Sequence, residues 1–300
     1  MKKQVIFDGV GTALITPFKN GRIDFEALQK IIEQQIESKI SALIIGGTTG
    51  EAATLSDFER YTLFEFAKEK TDGRVKLIFG TGTNDTRAAI RHTKKAAEIG
   101  CDGVLVVTPY YNKGTLRGVS EHYLSISEST DLPIILYNVP SRTGVNLTTE
   151  QLEALSKQEN IVAIKEAGDS MDRYAALASM REDLGIYAGN DSHFFQVLSI
   201  GGLGVISVLS NAFPRLMNDI YTGYRNAEGD KALSLQSHSL GLISALFAET
   251  NPAPIKFLMN RLGFCENELR LPLAPISEKT ERLIYTELEN PALKKYISIS

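Results

Sequence analysis

Through the first two thirds of the chain, short runs rich in Val, Ile and Leu alternate with longer stretches whose apolar positions recur at helical spacing. The short runs are GVGTALITPF (9–18), ALIIGG (42–47), VKLIFGTG (75–82), DGVLVVTPY (102–110), LPIILYNV (132–139), IVAIKEA (161–167), GIYAGND (185–191) and GVISVLS (204–210). Between them DFEALQKIIEQQIES, SDFERYTLFEFAKEK, DTRAAIRHTKKAAEIG and TTEQLEALSK predict amphipathic helices, with Asp24, Ser56 and Thr148 or Thr149 placed as N-caps. Strands separated by helices must run parallel, because a tight turn joins only antiparallel neighbours. Eight such units predict an α/β fold, a (β/α)8 TIM barrel over residues 1–224. The alternative is an open doubly wound sheet, but no strand leads into GxGxxG and eight regular units exceed its usual ~six strands. After about residue 225 the strand signal disappears. DKALSLQSHSLGLISALFAE, PAPIKFLMNRLGF and EKTERLIYTELENPALKKYI predict a C-terminal helical domain, 225–300, packed on the barrel without a Gly/Ser/Pro linker.

A barrel of this kind gathers its chemistry at the C-terminal ends of the strands. There the runs lead into GGTTGE, TPYYNKG, YNVPSRTG, KEAGD and GND. Strand parity puts Ala163, Lys165 and Ala167 on the face turned into the barrel and Val162, Ile164 and Glu166 on the face turned to the helices. Lys165 could simply mark the solvated tip of a strand ending at Ile164. Pointing inward, it has a different use, because lysine is seldom buried without a partner or a purpose. Burial disfavours an ammonium, and a deprotonated amine attacks carbonyls. The iminium so formed is an electron sink that acidifies the adjacent C–H and yields an enamine able to attack an aldehyde.

The other rim residues each carry two readings. GGTTGE is either an ordinary turn or a carboxylate seat made of backbone amides with the Thr48 and Thr49 hydroxyls. Tyr137 is either a core tyrosine or a proton-transfer group one strand from Lys165. Arg142 is either a surface ion-pair partner or a bidentate clamp on a substrate carboxylate. The glycines of GGLGVIS (201–207) precede their strand and so fall at the opposite end from the chemistry.

Composition excludes more than it selects. A net charge of -4 and a pI near 5.7 give no reason to expect nucleic acid or an anionic membrane as partner. No segment reaches the ~20 apolar residues of a membrane span, and Asp8 breaks the N-terminal run that a secretory leader would need. Cys101 and Cys265 have no CxxC spacing, which fits a reducing cytoplasm better than a disulfide framework or a structural zinc site. His92, His122, His193 and His238 are scattered without ligand spacing, so no catalytic metal is expected.

GTTGE, TPYYNK, YNVPSRTG and IKEA, in this order and spacing and together with GVISV and NPAPIK, resemble the dihydrodipicolinate synthase family over essentially the whole chain. GTTGE and KEA are shared with N-acetylneuraminate lyase and other pyruvate-dependent lyases, whereas YNVPSRTG with Arg142 discriminates against the sialic acid lyases. The resemblance implies condensation of pyruvate with L-aspartate semialdehyde, the first committed step towards diaminopimelate and lysine. It implies a Schiff base on Lys165, a proton relay of Tyr137, Thr48 and Tyr111, with Tyr111 reaching into a neighbouring subunit, and a pyruvate seat of Thr49 with backbone near Gly189 and Ile206. Arg142 would bind the semialdehyde carboxylate. It further implies a homotetramer built from tight dimers, with no organic cofactor and no catalytic metal. A pyruvate lyase acting on a sugar acid is the nearest rival. A catalytically silent barrel is the other, and it should lack the lysine or the tyrosine. Lysine-inhibited members of the family hold their effector with a glutamate and histidines. The aligned positions here carry Ala88 for the glutamate and Asp57 and Arg60 for histidines, with Asn84 and Tyr110 retained, which implies weak or absent inhibition.

Overall fold

The computed structural model describes residues 3, 5–168 and 170–297. Its eight parallel strands are β1 (Gly9–Ala13), β4 (Ala42–Ile45), β5 (Lys76–Gly80), β6 (Gly103–Val107), β7 (Ile134–Asn138), β8 (Ile161–Glu166), β9 (Gly185–Ala188) and β10 (Gly204–Ser207). They close in the order β1-β10-β9-β8-β7-β6-β5-β4, a TIM barrel, and a small antiparallel hairpin, β2 (Phe18–Lys19) with β3 (Arg22–Ile23), stands apart. The connecting helices are α1 (Phe25–Glu37), α2 (Asp57–Thr71), α3 (Thr86–Ile99), α4 (Leu116–Ser127), α5 (Pro140–Thr143), α6 (Thr149–Leu155), α7 (Met171–Ala178), α8 (Phe194–Ser199) and α9 (Pro214–Arg225). There follow α10 (Gly229–Leu246), α11 (Ala253–Arg261), α12 (Glu278–Leu288) and α13 (Pro291–Lys294). Among the described residues no helix is long and apolar enough to cross a membrane, and both cysteines are free and buried.

Local chemistry accounts for the helix starts. Asp24 caps α1 by accepting from the Ala27 amide, and Ser56 forms a reciprocal capping box with Glu59. Of the two threonines before α6 it is Thr148 that caps, because Gln151, three residues on, reaches back to its amide. α3 ends where Gly100 turns left-handed at φ 88°, a conformation glycine adopts without steric cost.

Two cores result. Ile44, Ile78, Leu105, Ile135, Tyr187 and Ile206 fill the barrel, while a larger layer packs the outer strand faces against the helices, as where Phe79 of β5 stacks on Phe64 of α2 at 4.0 Å. At the seam Gly9 and Gly204 are paired so closely that a Cβ on Gly204 would lie 1.8 Å from the Gly9 carbonyl oxygen.

The structure corrects two expectations. The first strand ends at Ala13 and does not continue to Phe18. Beyond it the chain is satisfied by side chains and loops: Asn211 Oδ1 accepts from the Ile15 amide, Thr16 Oγ1 donates to the Gly50 carbonyl, and Pro17 has no N–H to offer a ladder. Val162 belongs to the inner core and not to the helix-facing side. The register between β7 and β8 shifts from Ile134↔Ile161 to Ile135↔Ala163, leaving Val162 as an extra residue whose parity differs from that of its strand.

The C-terminal helices lie against the barrel and are tied to it by charge. Arg270 donates to both oxygens of Glu59, at 2.5 and 2.9 Å, and to the Thr54 carbonyl. That hydrogen-bonded pair, with the Ser56 cap, holds the Glu59 carboxyl down at about 2. Because the folded value lies below the unfolded one, the contribution is fully present above pH ~4.5 and is lost as pH falls towards 2. Comparing the melting temperatures of the parent and Glu59→Gln from pH 7 to pH 2 should therefore show a constant gap above pH ~5 that closes across that window. A gap independent of pH would mean that the pair contributes nothing through its charge.

Candidate active site

β7 and β8 run side by side in register, so Tyr137 lies directly beside Lys165. Lys165 is only 5% exposed, and its Nζ stands 4.2 Å from the centre of the Tyr137 ring. Opposite them the loop after β4 presents Thr48 and Thr49. Its turn is closed by the Gly50 amide on the Gly47 carbonyl and the Glu51 amide on the Thr48 carbonyl, at 3.1 and 3.0 Å. Arg142 projects from the short helix α5. Gly189 follows β9, and its amide donates to the Glu166 carbonyl at 2.6 Å. A Cβ there would meet that oxygen and the Ala167 side chain at the same 2.6 Å, so the close approach of β8 and β9 requires glycine.

Lys165, Tyr137, Thr48, Thr49, Arg142 and Gly189 line a single cavity of about 510 Å³. Ile206, on the inner face of β10, is fully buried beneath this rim. Tyr111 is elsewhere: it is 89% exposed, with a left-handed backbone at φ 72°, and it lines neither this cavity nor the neighbouring one.

Residues beyond those read from the sequence complete the wall. The segment 247–251 between α10 and α11 roofs the cavity. Asn251 is its anchor: Nδ2 donates to Thr49 Oγ1 at 2.9 Å, and its carbonyl accepts from Arg142 Nη2 at 2.9 Å. In the sequence it stands at a polar break, ETNP, between two apolar helices and opens the NPAPIK motif, but nothing there assigns it to the site. Asp191, fully buried after β9, accepts from the Val208 and Leu209 amides at 3.0 Å each and so shapes the wall at Val208; burial pushes its carboxyl up. On the outer face of β8, directly behind the lysine, Glu166 is completely buried. It accepts from Asn138 Nδ2 at 2.9 Å, the Gly168 amide at 2.8 Å and Arg173 Nε at 3.2 Å, tying together the loops that follow β7 and β8.

A second cavity, of about 450 Å³, shares Thr48, Tyr137 and Arg142 and extends to Arg60, His92 and Tyr110. Arg60 is buried and donates to the carbonyls of Gly80 and Ala52. Burial, with Arg60 beside it, pushes the His92 imidazolium down to about 4, so the ring is neutral at pH 7. Asp57 does not line the cavity; it pairs with Arg91 at 3.2 Å, and its other oxygen lies 3.8 Å from His92 Nε2. Asn84 accepts from Asn112 through its carbonyl, and Ala88 is half-buried on α3.

A buried amine, a phenol, two hydroxyls and a guanidinium around one cavity suit condensation of a keto acid with a second carbonyl compound. Among the described residues no group of three or more His, Cys, Asp or Glu could hold a metal ion.

The family model described as "Dihydrodipicolinate synthetase family" matches residues 6–290. The chain is 44% identical, over 95% of its length and 98% of the relative's, to the 4-hydroxy-tetrahydrodipicolinate synthase of Alkaliphilus oremlandii. The crystal structure of the dihydrodipicolinate synthase of Thermotoga maritima superposes with a TM-score of 0.93 at 44% identity, covering 95% of this chain and 98% of that one. The enzyme of Cyanidioschyzon merolae, whose structure was solved with lysine bound, superposes with a TM-score of 0.91 at 36% identity, covering 95% and 98%.

Removing one partner of a buried charged cluster leaves the others unpaired. Glu166→Ala should therefore cost about 3 to 5 kcal/mol in urea unfolding. A loss under about 1 kcal/mol would mean that water replaces the carboxylate at no cost and that the loops behind Lys165 are held by other contacts.

Proposed function

The chain belongs to the dihydrodipicolinate synthetase family, and on that footing we propose that it is a class I aldolase-type lyase that condenses pyruvate with L-aspartate 4-semialdehyde to 4-hydroxy-tetrahydrodipicolinate. The observation that carries this reading is the buried Lys165 amine against the Tyr137 ring, in one cavity with Thr48, Thr49 and Arg142.

Lys165 Nζ attacks C2 of pyruvate, and the carbinolamine loses water to give the protonated imine. Thr49 and the backbone near Gly189 and Ile206 seat the pyruvate carboxylate. Loss of a proton from C3 gives the enamine, which attacks the aldehyde carbon of the second substrate while Arg142 holds that substrate's carboxylate. The substrate's own amine then adds to C2 and displaces Lys165, closing the six-membered ring and regenerating the free lysine. Tyr137 gives and takes the protons at C2 and at the aldehyde oxygen, and Thr48 passes them towards Tyr111. The exposure of Tyr111 supports its service in a partner subunit's site, and the assembly that goes with this reading is one of tight dimers paired into a homotetramer. The barrel, residues 1–224, supplies the chemistry, and the helical part, 225–300, supplies the roof. The two free cysteines suit a cytoplasmic enzyme. No cofactor, metal, nucleic acid or membrane enters the scheme.

The second cavity is a poor seat for lysine. Asp57 is already committed to Arg91, Ala88 offers no acceptor, and Arg60 would face the effector's ammonium. A desolvated ammonium without a counter-charge is costly.

Pyruvate with borohydride should inactivate the enzyme and leave reduced pyruvate on the peptide carrying Lys165. A label on another lysine, or none in active protein, would sink the mechanism. Titrating L-lysine into the condensation assay at saturating pyruvate should give little inhibition. Strong inhibition at submillimolar concentration would show that other groups have rebuilt an effector site.

A further inference from the structure

Lys165 is not the most deeply buried lysine of this chain. Lys256, on α11, has no exposure at all and takes no part in the chemistry above. Its Nζ donates to Glu51 Oε1 at 2.5 Å and to the Glu268 carbonyl at 2.7 Å, and it sits 4.1 Å over the ring of Phe18. Glu51 is equally enclosed, and its Oε2 accepts from the Arg270 amide at 3.0 Å. Burial pulls the Lys256 ammonium below its ordinary value, and Glu51 opposes that pull. Stability alone is a weak reason for such a pair. Desolvating two ions is costly, and neutral groups of similar volume are often as stable.

The position of Glu51 supplies a better reason. It closes the turn that carries Thr48 and Thr49, with its amide on the Thr48 carbonyl. Its backbone is left-handed at φ 54°, ψ 36°, a conformation glutamate rarely adopts and keeps only where its surroundings enforce it. Its amide and carbonyl hold it within the turn, through Thr48 and Thr54, and its side chain ties it to the rest of the fold through Lys256 and the Arg270 amide. The same stretch of chain grips the turn a second time, where Asn251 holds Thr49 Oγ1. Asn251 and Lys256 thus hold the turn 48–51 at two points, Thr49 and Glu51.

We infer that Glu51 and Lys256 are positioning residues for the reaction proposed above: their buried ion pair holds the turn in the one backbone conformation that points Thr48 and Thr49 at pyruvate on Lys165. The inference rests on that reaction. An ångström of misplacement at a reacting centre can cost roughly 10²-fold in rate, so an anchor two residues beyond Thr49 is sufficient to govern turnover.

The test is the double variant Glu51→Gln/Lys256→Met, which removes both charges together and leaves neither ion buried alone. It should melt within a few degrees of the parent, yet lose roughly tenfold or more in kcat, with KM for pyruvate raised several-fold. KM for the aldehyde should stay within about twofold of the parent, because Arg142 is held through the Asn251 carbonyl and not through Glu51. A merely structural pair would behave differently: at a near-parental melting point the double variant would keep parental kcat and pyruvate KM, and that result overturns the inference. If the double variant does not fold, Glu51→Asp decides, since it keeps both charges and shortens the anchor by one methylene. Several-fold loss of kcat at a near-parental melting point supports the inference, and unchanged kcat overturns it. A failure of the underlying reaction is visible separately, in a parent enzyme that neither condenses the two substrates nor traps pyruvate on Lys165.

Discussion

Closing eight parallel strands into a ring leaves no free edge, and here the closing pair, β1 with β10, meets so tightly that a Cβ on Gly204 would strike the Gly9 carbonyl. Everything at the rim inherits its position from that closure. With the ring shut, each strand has two fixed neighbours, and the alternation of inward and outward residues around the barrel becomes a set of defined distances. Tyr137 and Lys165 are neighbours because β7 and β8 are paired in register, not because either side chain seeks the other.

The barrel then accommodates groups that an ordinary core rejects. Lys165 projects from an apolar interior into a cavity lined by hydroxyls and a guanidinium. Immediately behind it Glu166 is satisfied by an amide side chain, a backbone amide and Arg173, so the strand that carries Lys165 is fixed on its outer side by polar contacts and on its inner side by packing. Asp191 performs the same service for the loop after β10. The buried carboxylates flanking the site have partners of their own, Glu166 in Asn138, Gly168 and Arg173, Asp191 in the Val208 and Leu209 amides, and Glu51 in Lys256.

A bare barrel would leave this cavity open. The segment between α10 and α11 covers it, and the C-terminal part of the chain reaches back to the barrel's loops: Asn251 to Thr49 and Arg142, Lys256 of α11 to Glu51, and Arg270 beyond α11 to Glu51 and Glu59. The C-terminal helices are therefore part of the site's construction, holding its first loop while forming its roof.

Much of this was legible along the chain, and the reason is the range over which each force acts. Alternation of apolar runs with helical spacing is a local property, so the eight βα units, the helical tail, the caps at Asp24 and Ser56, and the rim location of Thr48, Tyr137, Arg142 and Lys165 could all be read from it. Parity along a strand is also local, and it placed Lys165 inward. Parity failed at Val162, because a register shift depends on the partner strand, which the residue's own neighbours do not reveal. The end of β1 at Ala13 was hidden for the same reason, since the groups that replace its ladder come from Asn211 and Gly50. The sequence by itself determined which residues could do chemistry and which end of the barrel they would occupy. Only the tertiary structure decided which of them share a cavity, that Tyr111 stands outside it, and that Asn251 and Lys256 reach across some two hundred positions to hold the turn beside the lysine. Those contacts exist only after the ring has closed and the tail has folded over it, because side chains so distant in sequence meet through packing and not through any periodicity of their own.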